Sequence, residues 1–153
     1  MKKYLKRFFV LESIVFIMSI SLIAQYNTSD TQNYNNIEIL QDATLKESIT
    51  RGSEVYTDFC MQCHLPDGKG TPKIFPPLAG SDWLVDKRKE SIHSIKYGLS
   101  GPIKVNGTEY NSAMTSLGLE DEEIADVMNY IMNSWGNTQK KMVTVDEVAA
   151  IKK

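Results

Sequence analysis

The chain has 153 residues, 42% of them hydrophobic and 24% charged, which is material for one modest domain. Its formal net charge of −2, with no basic stripe, excludes a nucleic-acid-binding protein. Two cysteines and two histidines bound whatever site chemistry it carries.

Lys2, Lys3, Lys6 and Arg7 precede an apolar run from Phe8 to Ala24, interrupted by Glu12. A basic start followed by an apolar stretch reads as an export signal. Seventeen residues with a charge inside are marginal for a membrane span, whereas Ser13 to Ala24 suits a signal core. Ser19, Ser21 and Ala24 are candidate cleavage points without a clean A-x-A pattern, so residues 1–24 are either a cleaved signal peptide or a retained membrane anchor. The absence of cysteine there excludes a lipid-modified cysteine. Either way, positive charge stays inside and the remainder is exported. Without residues 1–24, Lys plus Arg falls from 17 to 13 and Asp plus Glu from 19 to 18, a net charge of −5. Such an acidic protein prefers a partner with a basic docking patch.

Residues 25–44 are rich in Asn, Gln, Thr, Ser and Asp, bury little, and are expected to form a flexible linker. With a retained anchor it would be a tether; otherwise it is a disordered N-terminus. Leu45 to Phe59 reads as a helix, with Ile49, Gly52, Val55, Tyr56 and Phe59 near one face. Gly52 costs about 1 kcal/mol relative to alanine in a helix, which points to close contact with another helix.

That helix runs into Cys60-Met61-Gln62-Cys63-His64, the C-x-x-C-H spacing of covalent haem attachment. Two intervening residues let both thiols reach the vinyl groups on one porphyrin edge. His64 then sits under the iron and leaves one axial position opposite. A disulfide would not require His64, and a thioredoxin-like pair would want a βαβ context. A structural zinc site needs four ligands, and Cys60, Cys63 and His64 supply three in too tight a cluster.

Leu65 to Gly70 is loop by composition. Pro76 and Pro77 stiffen the next segment. A carbonyl there, preferably that of Pro76, would accept the Nδ1–H of His64 and orient the ring. Asp86 to Tyr97 reads as a helix stopped by Gly98 and carrying His93. Asn106-Gly107, between Ile103-Lys104-Val105 and Thr108-Glu109-Tyr110, is a hairpin signal with a type I′ turn. Lys104 would face Glu109 and Ile103 would face Tyr110. The hairpin is expected to brace the loop carrying Met114, with Tyr110 as a supporting residue; a surface ornament or a docking surface is the alternative. A last main helix runs from Glu120 to Trp135, with Ile124, Val127, Met128, Ile131, Met132 and Trp135 on one stripe. Residues 138–153 form a tail or short helix.

Of seven methionines, Met1 and Met18 lie in the export segment, Met61 inside the haem loop, Met128 and Met132 in the apolar stripe, and Met142 in the tail. Met114, 50 residues past His64, is the loop methionine that could close over the opposite haem face, where a thioether raises the potential. His93 is the alternative ligand.

Gly52 and Tyr56 before CMQCH, the Phe75-Pro76-Pro77-Leu78 segment, Met114 and a terminal helix with Tyr130 together resemble a class I cytochrome c over Leu45–Asn137. The resemblance implies an all-α fold of about three to five helices around one covalently bound haem c, with a small hairpin insertion near 103–110. It implies that Gly52 and Tyr56 meet Val127 and Tyr130 where the first and last helices cross, and that haem attachment follows export across the bacterial inner membrane. Leu65 stands where the family often has glycine, Thr115 where it often has proline, and Glu120 where a Ser cap is common, which should weaken the helix start. Gly98 to Met114, with Asn133 to Asn137, also resembles bacterial cytochrome c domains that accompany periplasmic dehydrogenases or reductases. The implied function is single-electron transfer between redox partners, without catalysis. Alternatives are a haem-bearing subunit of a dehydrogenase or reductase complex, and a haem enzyme or gas sensor with an open sixth site.

Overall fold

A computed structural model describes residues 37 and 39–153. The expected export segment, residues 1–24, and most of the polar linker lie outside the described residues. The chain divides into two compact units, 1–43 and 44–153. In the first, residues 37 and 39–43 are helical. Residue 44, the last of the expected linker, is helical too.

The second unit is mostly helical. Helix α1 covers residues 44–59, and α2 (Met61–His64) follows after one residue. Then come α3 (Asp82–Asp86), α4 (Arg88–Tyr97), strands β1 (Ile103–Val105) and β2 (Thr108–Tyr110), α5 (Asp121–Ile131) and α6 (Val145–Ala149).

Helix α5 is the centre of the core. Ile124, Val127 and Met128 have no exposed surface, and Ile131 has 4%. Its start is better held than Glu120 suggested. The Glu120 carboxylate accepts from the backbone of Glu123, and the Glu123 carboxylate accepts from the Glu120 N–H at 2.9 Å. A glutamate thus completes a reciprocal box usually built on Ser or Thr. The helix ends at Ile131, four residues before the expected Trp135. Asn137 donates to the carbonyls of Ile131 and Leu78, both at 2.8 Å, and draws the chain into a turn.

Helix α1 crosses α5 at Gly52. A Cβ at Gly52 would collide with the Asp126 carbonyl and lie 2.9 Å from Tyr130 Cβ. Beside this contact is a polar cluster. The buried Asp126 carboxylate accepts from Ser48 Oγ at 2.6 Å and from Arg51 at 2.6 and 2.9 Å. Asn129 donates to Ser48 Oγ at 2.8 Å, so each buried group has its partner.

The expected helix Asp86–Tyr97 is divided. Lys87 (φ −124°, ψ 45°) separates α3 from α4. Two tethers flank the break. On one side, Asp82 and Asn106 exchange bonds of 2.8 and 2.9 Å, tying α3 to the hairpin turn. On the other, Arg88 holds the tail through Glu147 and the carbonyls of Lys141 and Met142. The hairpin has the register Ile103↔Tyr110, Lys104↔Glu109, Val105↔Thr108, with φ of 48° at Asn106 and 78° at Gly107, as a type I′ turn requires.

The tail is part of the domain, which therefore runs past residue 137. Val143 and Val148 are fully buried, and Asn129 pairs with both the N–H and the carbonyl of Val143.

Candidate cofactor cleft

A mostly apolar cleft of about 630 Å³, counting the solvent at its mouth, lies between α2, α3, α4, the hairpin and α5. Cys60, His64 and Met114 line it together.

One wall is the turn after α1. The Tyr56 carbonyl accepts from Cys60 N at 2.9 Å, and the Cys60 carbonyl accepts from Cys63 N at 3.1 Å and His64 N at 3.0 Å. Both cysteines are free thiols; Cys60 is partly buried and Cys63 exposed. Burial, with the neighbouring Cys63, pushes the Cys60 thiol up to about 11, so it is protonated at neutral pH.

His64 Nδ1 lies 3.0 Å from the carbonyl oxygen of Pro76. That oxygen can only accept, so Nδ1 carries the hydrogen and the lone pair is on Nε2. Burial holds the ring's pKa below 6.5 against the raising effect of the Pro76 carbonyl, which keeps the imidazole neutral and able to ligate.

Leu65 has φ 65°, a left-handed backbone that glycine adopts without cost. Tyr56 Oη donates to its carbonyl at 2.6 Å and secures the strained turn. Behind it, the rings of Tyr56, Tyr130 and Trp135 pack with centroids 5.0–5.5 Å apart. Trp135 Nε1 donates to the Pro66 carbonyl at 3.0 Å.

The other walls are apolar by construction. Ser91 and Ser94 of α4 turn their hydroxyls to the carbonyls of Lys87 (2.8 Å) and Glu90 (2.7 Å), so neither serine presents an unpaired hydroxyl to the cleft. Trp83 and Leu84 come from α3, Ile103 and Val105 from the hairpin, Val127 and Ile131 from α5.

Several expected site residues are placed differently. His93 is not on the cleft lining; its ring packs at a 60° tilt against that of Tyr97, elsewhere on α4, with centroids 5.1 Å apart. Tyr110 shares the hairpin face of Ile103 and is buried beside the cleft wall rather than in it. At the helix crossing Gly52 meets the Asp126 carbonyl and Tyr130, whose ring also packs on Tyr56, and Val127 lines the cleft. The Met114 loop is bonded to the end of α4, where Leu99 and Met114 exchange two backbone bonds of 2.8 Å, rather than to the hairpin that was expected to brace it. Sequence reasoning missed Trp83, Leu84 and Leu99, and the serines. The spacing of Ser91 and Ser94 beside Ile95, two small residues on one helical face, is a signal that would have marked α4 as a cleft wall.

The donor set fits a flat apolar ring bearing a metal. It offers a neutral imidazole oriented by a carbonyl, a thioether in the same cleft, and two thiols in the turn that starts it.

The family model described as Cytochrome c matches residues 49–135. The chain is similar to cytochrome c-552 of Thermus thermophilus, 40% identical over 110 residues, covering 66% of this chain and 83% of that protein. It is similar to the cytochrome c subunit of alcohol dehydrogenase (quinone) from Gluconobacter oxydans, 31% identical over 105 residues, 66% of this chain and 22% of that one. The gluconate 2-dehydrogenase cytochrome c subunit of Pantoea cypripedii is 35% identical over 109 residues, 67% of this chain and 24% of that one.

Proposed function

We infer, since this chain belongs to the cytochrome c family, that Cys60 and Cys63 carry the two thioether attachments and that His64 and Met114 are the axial ligands. The protein carries covalently bound haem c and is a single-electron carrier rather than a catalyst. Haem iron supplies the one-electron Fe(II)/Fe(III) couple. The chain's residues do the rest. The Pro76 carbonyl holds the Nδ1–H of His64 and so aims Nε2 into the cleft. Trp83, Leu84, Ile103 and Val105 would exclude water from a haem held in the cleft, which would favour its less charged reduced state. The Met114 thioether would add to that preference.

The observation that carries this reading is the sharing of one apolar cleft by Cys60, His64 and Met114. The oxidised holoprotein should show a thioether–Fe(III) charge-transfer band. Met114→Ala should abolish the band and lower the reduction potential by on the order of 0.2 V, within the ~0.8 V that axial ligands span. A band that survives in Met114→Ala refutes the ligand assignment.

The N-terminal basic and apolar pattern supports export to the bacterial periplasm, as a soluble protein after cleavage or tethered through residues 8–24. The acidic balance supports a redox partner with a basic docking patch. A second reading, an electron-transfer subunit of a dehydrogenase, is favoured by likeness to the cytochrome c subunits. Affinity purification of the holoprotein from native membranes separates the two: a stoichiometric dehydrogenase identifies a subunit, a lone cytochrome a carrier.

A further inference from the structure

Met114 sits in a stretch, residues 111–119, that has no helix or strand beyond its one bridge pair. A ligand on an irregular segment needs its backbone fixed from outside, and here the end of α4 does so. Leu99 exchanges two backbone hydrogen bonds of 2.8 Å with Met114. Two residues on, the Ser116 hydroxyl donates to the Lys96 carbonyl at 2.8 Å. The Lys96 ammonium pairs with Asp121, the first residue of α5, also at 2.8 Å. Two residues, Lys96 near the end of α4 and Leu99 just past it, thus hold the loop at 114 and 116 and tie it to the start of α5 at 121.

Gly98 permits this close approach. Its φ is +86°, and its N–H closes α4 on the Ser94 carbonyl at 2.9 Å. A Cβ there would lie 2.8 Å from the Met114 carbonyl oxygen and 3.1 Å from the Ser116 nitrogen. Both are backbone atoms, so neither can swing aside as a side chain would.

We propose that Gly98 is the positioning residue for Met114: its bare Cα lets the end of α4 clamp residues 114–116, and that clamp sets how much of the time the thioether is on the iron. The proposal rests on the reading of Met114 as axial ligand. An external ligand reaches the sixth position only while Met114 is off. Its apparent affinity therefore scales with the fraction of protein in the open form. Loosening the clamp raises that fraction even where the fold survives.

The test uses oxidised holoprotein, titrated with imidazole, with the thioether–Fe(III) band followed in parallel. Gly98→Ala should raise imidazole affinity about tenfold and weaken the band, by enlarging the open fraction. Gly101→Ala is the control. Gly101 has a comparable φ of +91° with nothing within 4 Å of where a Cβ would stand, so this variant carries backbone strain without touching the clamp. Its imidazole affinity should stay within about twofold of the parent. Ser116→Ala should raise affinity about threefold, and Ser116→Thr, which keeps the hydroxyl, should restore it. If Gly98→Ala does not assemble as holoprotein, the Ser116 pair decides. Parental imidazole affinity in both Gly98→Ala and Ser116→Ala, with the band lost in Met114→Ala, overturns the clamp and leaves the ligand standing. A band that persists in Met114→Ala removes the ligand reading itself.

Discussion

Gly52→Ala should destabilise the holoprotein by about 3 kcal/mol, although alanine is the better helix former by about 1 kcal/mol. The reason is what the new methyl meets. It would fall on the Asp126 carbonyl of α5, a main-chain group that cannot rotate away. Relief requires α1 to withdraw. Withdrawal breaks the packing of Tyr56 on Tyr130 and the bonds from Ser48 and Arg51 to Asp126. For a domain with typically 5–15 kcal/mol of stability this is a large fraction. Thr57→Ala, on an exposed position of the same helix, should change stability by less than about 0.5 kcal/mol. Denaturant midpoints of the two variants check the contrast. A Gly52→Ala protein as stable as its parent would show that α1 and α5 do not meet there.

The second large effect is expected at Arg88. Its guanidinium, 17% exposed, forks onto both Glu147 oxygens at 2.7 and 2.8 Å and donates to the carbonyls of Lys141 and Met142 at 3.1 and 3.0 Å. Arg88→Met keeps the stem and removes every donor. The cost should be about 3 kcal/mol, because two carbonyls and a largely sheltered carboxylate lose their partners together. Hydrogen exchange at Val143 and Val148 should accelerate before exchange in α5 does, since the tail loosens first. Uniform acceleration across the domain would contradict a local clamp.

The same pair carries a pH dependence. The hydrogen bond from Arg88 holds the Glu147 carboxyl below its ordinary 4.5. A folded value below the unfolded one means the stabilisation is complete above about pH 4.5 and is lost as pH falls through the folded value. The stability difference between the parent and Glu147→Gln should therefore be constant from pH 7 down to about 5 and shrink in more acid solution. A difference that stays constant to pH 3 would show that the ion pair contributes nothing.

Much of this was legible in the chain. The C-x-x-C-H spacing, the apolar stripe of α5 and the Asn106-Gly107 turn are local patterns with a period or a fixed offset, so each names its structure without a partner. The glycine at position 52 marked a helix crossing for the same reason. What was illegible depends on residues far apart. Arg88 and Glu147 are ordinary surface residues until the fold brings them together across 59 positions. Nothing near Asp126 or Asn129 announces that α1 and the tail will bond to them. Helix α5 was read four residues too long because Asn137 ends it from outside by taking the Ile131 carbonyl. The break at Lys87 escaped notice because no glycine or proline marks it. The hairpin was given the task of holding Met114 because it precedes it in sequence; contact in space assigned that task to Leu99 instead.

The polar cluster at the crossing of α1 and α5 also constrains the order of events as the chain is made. Ser48 and Arg51 have their partners at Asp126 and Asn129, separations of 75–81 residues. Closing so long a loop costs entropy that is repaid only once both ends exist. Cys60 and Cys63 lie inside that loop. Until residue 129 has been synthesised, the segment bearing both thiols belongs to a chain that cannot shut, so its sulfurs stay reachable.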